Sequence, residues 1–228
     1  GLKRGKLLHL FSGQPRRRRS IARYAADLDT GTCEVDLLGG ADLCDDEVFD
    51  WLMAEADAGA FVAAIAGIPC QSFSVLRVRV RTRKRARRQV PAGSRTRQQP
   101  AGRDGVSGRE ADYINHHNEL VRRATLILSA VAAAGGEIVI ENPADRGDPS
   151  SALFRWRWRN HVPMWLMPSI LELAESAQAS QITFPQCRLG GEFQKWTTLL
   201  ATAGAAARLQ WMGSLLCTHA SHGRRAVG

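Results

Sequence analysis

Apolar and polar positions along the chain switch repeatedly between a two-residue and a helical period, and the order of the switches predicts an α/β fold. Residues 6–11 read as a first strand, after which Ser20 stands as the N-cap of a helix ending near Thr30-Gly31. Residues 32–37 alternate as a second strand. Asp45 and Asp46 cap a helix in which Val48, Trp51, Leu52 and Glu55 recur at helical spacing up to Gly59. The short apolar run 61–66 ends at Gly67 and fits a central parallel strand. Leu120, Ala124, Ile127, Leu128 and Val131 mark one face of a helix that Gly135-Gly136 closes, and residues 137–140 form the next strand. Two further strands are predicted at 181–184 and 197–202. Such alternation predicts a doubly wound, mostly parallel sheet with helices on both faces, and no internal repeat interrupts it.

Composition narrows this picture. With 228 residues, 44% of them hydrophobic, the chain can bury roughly 70 to 75% of its unfolded surface as one domain or one domain with a small appendage. Its five cysteines, an odd number, argue against a disulfide scaffold, and no apolar run is long enough for a signal peptide or membrane span. The expectation is a reduced intracellular protein, nuclear in a eukaryote. Gly1 in place of a methionine and a Gly/Arg-rich end read as a piece of something longer, with further domains of a polyprotein as partners.

The formal charge of +9 is concentrated in one segment. Residues 77–109 hold eleven arginines and Lys84 against the single acid Asp104, a net +11, so the remainder of the chain carries a net −2. Gly93, Pro100, Gly102, Gly105 and Gly108 break any periodicity there, which predicts a long mobile loop. Two readings stay open: a polycation attracting phosphate backbones through Arg77, Arg79, Arg81, Arg83, Lys84, Arg85, Arg87 and Arg88, or a solvated insertion without a dedicated partner. The run at residues 84–88 also has the look of a nuclear-import signal. The chain thus divides into 1–76, the basic insertion 77–109, a second half 110–216, and a tail 217–228.

Candidate chemistry falls where predicted strands end. Leu10-Phe11-Ser12-Gly13 follows the first strand, Pro69-Cys70-Gln71-Ser72 the third, and Glu141-Asn142-Pro143 the fourth. Open α/β sheets bind ligands at the carboxyl ends of their strands. A proline-presented cysteine and a carboxylate there make a nucleophile and proton-donor pair, with the first loop left to hold a cofactor. Backbone amides of the cysteine loop are expected to lower the Cys70 thiol pKa. Glu141, after three apolar residues, must be paired or protonated, with Arg146 as the alternative partner that would make it structural.

In this order the motifs resemble those of the C5 cytosine-specific DNA methyltransferases, in particular divergent, phage-like or retroelement-associated members. The resemblance spans residues 6–200 and implies a Rossmann-like S-adenosylmethionine-dependent fold acting on DNA. It implies that Cys70 attacks cytosine C6 and that Glu141 serves N3. It assigns the cofactor to Phe11, Ser12, Gly13 and Pro69, with Asp36 on the ribose and Asp42-Leu43 over the adenine; either carboxylate is equally readable as a turn or helix cap. The chain departs from the family pattern in several places. Gln14-Pro15-Arg16 stands where a second glycine belongs, Pro143 replaces valine, and the basic segment lengthens the cysteine-to-glutamate spacing. No target-recognition domain or closing strand motif is recognisable. The alternative is a catalytically degenerate, mobile-element-derived domain that binds nucleic acid through its arginines.

The carboxyl third carries weaker signals. Gln186-Cys187-Arg188 and Gln194-Lys195-Trp196 resemble late motifs of the same family, with Arg188 either holding a flipped base or simply lying on the surface. Arg155-Trp156-Arg157-Trp158-Arg159 suits stacking on bases or an edge strand with buried tryptophans. Cys187, Cys217, His219 and His222 are four potential zinc ligands, but their C-x-H-x-x-H spacing matches no common zinc class, and no metal is expected.

Overall fold

A computed structural model describes residues 5–13, 20–74, 93–191, 195–219 and 222. Strand β1 (Lys6–Leu10) leads to helix α1 (Ile21–Asp27), whose N-cap Ser20 accepts from the Arg23 amide at 3.2 Å. Strand β2 (Thr32–Val35) precedes helix α2 (Asp46–Asp57), capped by Asp45 through the Glu47 amide. Strand β3 (Phe61–Ala66) and the 25-residue helix α3 (Arg109–Ala133) follow. Then come β4 (Glu137–Pro143), α4 (Pro168–Ser176), β5 (Ser180–Pro185), β6 (Trp196–Ala201) and α5 (Ala203–Leu209). No helix among the described residues is long and apolar enough to cross a membrane.

The six strands form one sheet in the order β2-β1-β3-β4-β6-β5. β1 to β4 pair in parallel, whereas β6 runs antiparallel to both β4 and β5, so the sheet is mixed. The fold is therefore α/β, as the alternation predicts, with one strand reversed. The reason is the short link between β5 and β6: the ten residues 186–195 are too few for the helical crossover that parallel neighbours need.

Alternate residues of β4 face opposite layers. Ile138 and Ile140 join the large core built with Leu52 of α2, Val121 to Val131 of α3 and Ile170 of α4; Val139 packs instead against the smaller cluster of Phe184, Leu199 and Ala206. Helices thus cover both faces. The chain leaves β1 for β2 on one side and returns to β3 on the other, which opens a crevice at the carboxyl ends of β1 and β3.

Candidate active site at the strand ends

Three loops converge on that crevice. Phe11 turns with a positive φ of 60°, its amide donating to Val35 at 2.7 Å, and Gly13 follows at φ 72°, a conformation in which a side chain would be strained. A Cβ at Gly13 would meet open space. Asp36, at the end of β2, accepts from the Gly13 amide at 2.8 Å through one oxygen and from the Leu38 amide at 2.8 Å through the other. It ties the first two loops together and caps a 3-10 turn, Leu37–Gly39. The sequence offered a cap or a ligand contact as alternatives; the cap is observed, and each carboxylate oxygen keeps a second lone pair. Residues 14–19, where the glycine loop departs from the family pattern, lie outside the described residues.

Asp42 accepts from the Cys44 amide in a local turn, and Leu43 is 3% exposed and packed in the core. Leu37 and Leu38, 70% and 68% exposed, present apolar surface beside Asp36 instead. Their exposure was not readable from sequence, since an apolar pair after a strand reads as more core.

Pro69 and Cys70 leave β3 on a turn in which the Phe73 amide donates to the Cys70 carbonyl at 2.9 Å. From the end of β4, buried Asn142 donates through Nδ2 to the Ile68 carbonyl at 2.8 Å. This single bond fixes the cysteine loop against the strand that carries Glu141. Arg146 does not pair with Glu141: it donates to the Leu153 carbonyl and stacks at 4.1 Å on Trp158. The partner of Glu141 is Lys195, whose Nζ lies 3.0 Å from Oε1, with the Gln186 amide side chain at 3.4 Å. Lys195 was not singled out by sequence, because only the antiparallel register of β6 on β4 brings it there.

The Cys70 thiol differs from the sequence expectation. Burial pushes its pKa up; the Lys195 charge acts the other way and the Glu141 charge reinforces the rise. The thiol is thus chiefly protonated at neutral pH, and its charge state is coupled to the Glu141–Lys195 pair.

The second half of the basic segment, described from Gly93, is a loop up to Gly108 as its composition predicts, but two of its arginines are held by the fold. Arg95, 6% exposed, stacks on Phe73 at 4.2 Å and donates to Ser72 Oγ at 3.1 Å, to Asn118 at 2.7 Å and to the Pro100 carbonyl. Arg97 forms a bidentate pair with Asp145 at 2.8 and 3.0 Å. Burial acts to raise the Asp145 pKa, but His161, Arg97 and the Gly147 amide outweigh it and hold the carboxyl well below its usual range. Gly147 is needed there, since a Cβ would sit 2.8 Å from the His161 carbonyl. His161 in turn donates from Nε2 to the Phe73 carbonyl at 2.8 Å. Two arginines thus brace the cysteine loop beside a cavity of about 510 Å³ lined by Ser72, Arg95, Arg97, Tyr113, Arg159 and His161. Arg77, Arg79, Arg81, Arg83, Lys84, Arg85, Arg87 and Arg88 lie outside the described residues.

The tryptophan-arginine run forms a 3-10 turn, Trp156–Trp158, rather than an edge strand. Trp158 is buried between Arg146 and Arg157, while Trp156 is 71% exposed with Arg159 stacked on its ring. Arg188 donates to Thr218 Oγ1 at 2.8 Å, away from Glu141. Cys187, Cys217, His219 and His222, distant in sequence, do come together. The chain matches no protein-family model, no curated protein and no solved structure.

Proposed function

We propose that the chain is a Rossmann-like S-adenosylmethionine-dependent methyltransferase domain acting on cytosine C5 in DNA. The observation that carries this reading is the placement of Cys70 and Glu141 on neighbouring strand ends, locked together by the Asn142–Ile68 hydrogen bond. The β1 and β2 ends supply the matching cofactor side. Phe11, Ser12 and Gly13 form an open turn, Asp36 keeps lone pairs for ribose hydroxyls, and Leu37 and Leu38 offer the apolar face that an adenine needs. These residues fit S-adenosylmethionine, which when bound supplies an electrophilic methyl group on a sulfonium sulfur.

In this mechanism a flipped cytosine enters the crevice, since C5 and C6 cannot be reached within the stack. The Cys70 thiol passes its proton to the Glu141 carboxylate and adds to C6 as the thiolate, forming an S–C bond as the C5–C6 double bond opens and negative charge moves toward N3. Glu141, carrying the proton taken from Cys70, donates a hydrogen bond to N3 and holds that charge. Lys195 stabilises the thiolate by charge when Glu141 turns from it to the base. Once C5 carries the methyl group, water takes the C5 proton, its electron pair re-forms the C5–C6 double bond, and the S–C bond breaks to return Cys70 as a thiolate. On the DNA side, exposed Trp156 with Arg155, Arg157 and Arg159 around it provides stacking and phosphate contacts.

The second reading, a degenerate nucleic-acid-binding domain, draws support from the raised Cys70 pKa and from the engagement of Glu141 by Lys195. One experiment separates the two. DNA carrying 5-fluorocytosine, incubated with the protein and S-adenosylmethionine, is expected to form a covalent adduct because fluorine blocks the final elimination. Cys70→Ser abolishes it. An adduct that survives this change, or none with the wild-type chain, overturns the enzymatic reading.

A further inference from the structure

On the turn whose Gln186 reaches Glu141, four side chains of a different chemistry meet. Cys187 lies in the 3-10 turn Gln186–Leu189, buried; Cys217, His219 and His222 follow the 3-10 turn Gln210–Ser214. Their ligand atoms all lie within 4.8 Å of one another. Cys217 Sγ is 3.8 Å from His219 Nδ1 and 3.4 Å from His222 Nε2. Tetrahedral zinc, with Zn–S of about 2.3 Å and Zn–N of about 2.0 to 2.1 Å, requires S···N edges of about 3.6 Å. The observed pair brackets that value.

We infer that Cys187, Cys217, His219 and His222 form a structural zinc site that clamps the chain after Leu215 onto the turn beside Glu141. Two thiolates and two imidazoles are the donor set of a borderline-soft ion, and no carboxylate in the cluster suits calcium or magnesium. Four protein ligands close a tetrahedral shell and leave no open position for a substrate, which makes the site structural. Sequence offers these four residues as potential ligands, but their spacing fits no common zinc class. The C-x-H-x-x-H run supplies three ligands, and the fourth stands thirty residues upstream in a turn that only the folded chain brings near.

The seam has a second tie, from Arg188 to Thr218. Its neighbour Gln186 reaches the other way: its side chain donates to Glu141 at 3.4 Å and its amide to the Lys195 carbonyl at 2.9 Å. A metal at Cys187 therefore steadies the turn that holds both members of the Glu141–Lys195 pair. The metal site itself stands whether or not the chain is a methyltransferase.

The full chain, purified under reducing conditions and stripped of metal, is titrated with Co²⁺. The expected result is one ion per chain, with the intense visible bands of a tetrahedral site and a thiolate-to-metal charge-transfer band, both lost when one equivalent of Zn²⁺ is added. Cys187→Ser weakens the charge-transfer band and lowers affinity, and His222→Ala does likewise, while Cys33→Ser leaves both unchanged. Metal content of the wild-type chain as isolated from zinc-containing medium, measured by mass spectrometry, gives the same stoichiometry. No uptake by the reduced wild-type chain, a weak octahedral spectrum, or an unchanged spectrum in Cys187→Ser overturns the proposal. So does a Cys187–Cys217 disulfide found in place of metal.

Discussion

Three residues set the state of the reactive centre: Cys70, Glu141 and Lys195. Burial raises the thiol pKa and the two charges pull it in opposite directions, so the pH profile of Cys70 alkylation reports on all three. Iodoacetamide trapping of Cys70, followed by peptide mass spectrometry, is expected to rise with a midpoint above that of an ordinary thiol. Removing the ammonium in Lys195→Met moves the midpoint further up and slows trapping at neutral pH; removing the carboxylate charge in Glu141→Gln moves it down. A midpoint indifferent to both changes would separate the pair from the thiol. Of the three, Cys70 and Glu141 were legible because each follows an apolar strand within a local motif. Lys195 was not, because its partnership depends on a strand reversal that no local pattern encodes.

Among the elements, Asn142 links two strands through one buried hydrogen bond. Asn142→Ala leaves the Ile68 carbonyl unsatisfied and is expected to lower stability by about 1 to 3 kcal/mol in urea unfolding. It should also slow adduct formation more than it alters DNA binding. Asp145 makes a pH-dependent contribution with a definite sign. Its pKa in the folded protein lies below the unfolded value, so its pairing with Arg97 stabilises fully above the ordinary carboxylate range and fades as pH falls through that range and below. Thermal melts of wild type and Arg97→Met should therefore differ most near neutral pH, by about 2 kcal/mol, and converge in acid. Strand and helix caps were readable from Ser20, Asp45 and the run at β3, since each signal is local. Helix α4 was missed although Pro168 stands at its first position, a start signal that apolar spacing does not register. Of the two readings of the arginine-tryptophan run, the edge strand fails because alternation of period two is also met in a 3-10 turn whose cations stack on its rings.

For the whole molecule, the basic segment separates into parts with different consequences. Residues 77–88 hold eight cationic side chains, whereas Arg95 and Arg97 brace the core. Deleting 77–90 is expected to weaken DNA binding about equally for all sequences, and to reduce the salt dependence by roughly 0.9 logarithmic units for each phosphate no longer neutralised. Folding should survive. Extending the deletion to residue 103 removes both braces and should lower the melting temperature sharply, measured by calorimetry. Composition could not draw that line: an arginine in a Gly/Pro-rich run reads as solvated until a carboxylate or ring far along the chain is seen to hold it. The α/β class was legible for the opposite reason, since it follows from the alternation of whole elements.

Strand β6 is interior to the sheet although it comes last of the six along the chain. During synthesis, a nascent chain that has emerged only as far as β5 presents the outer edge of β4 bare, and β5 has no neighbour at all. The sheet therefore cannot close vectorially. Closure waits for residues 196–201 to clear the ribosome, and a product released before that point carries open edges that invite pairing with other chains or degradation.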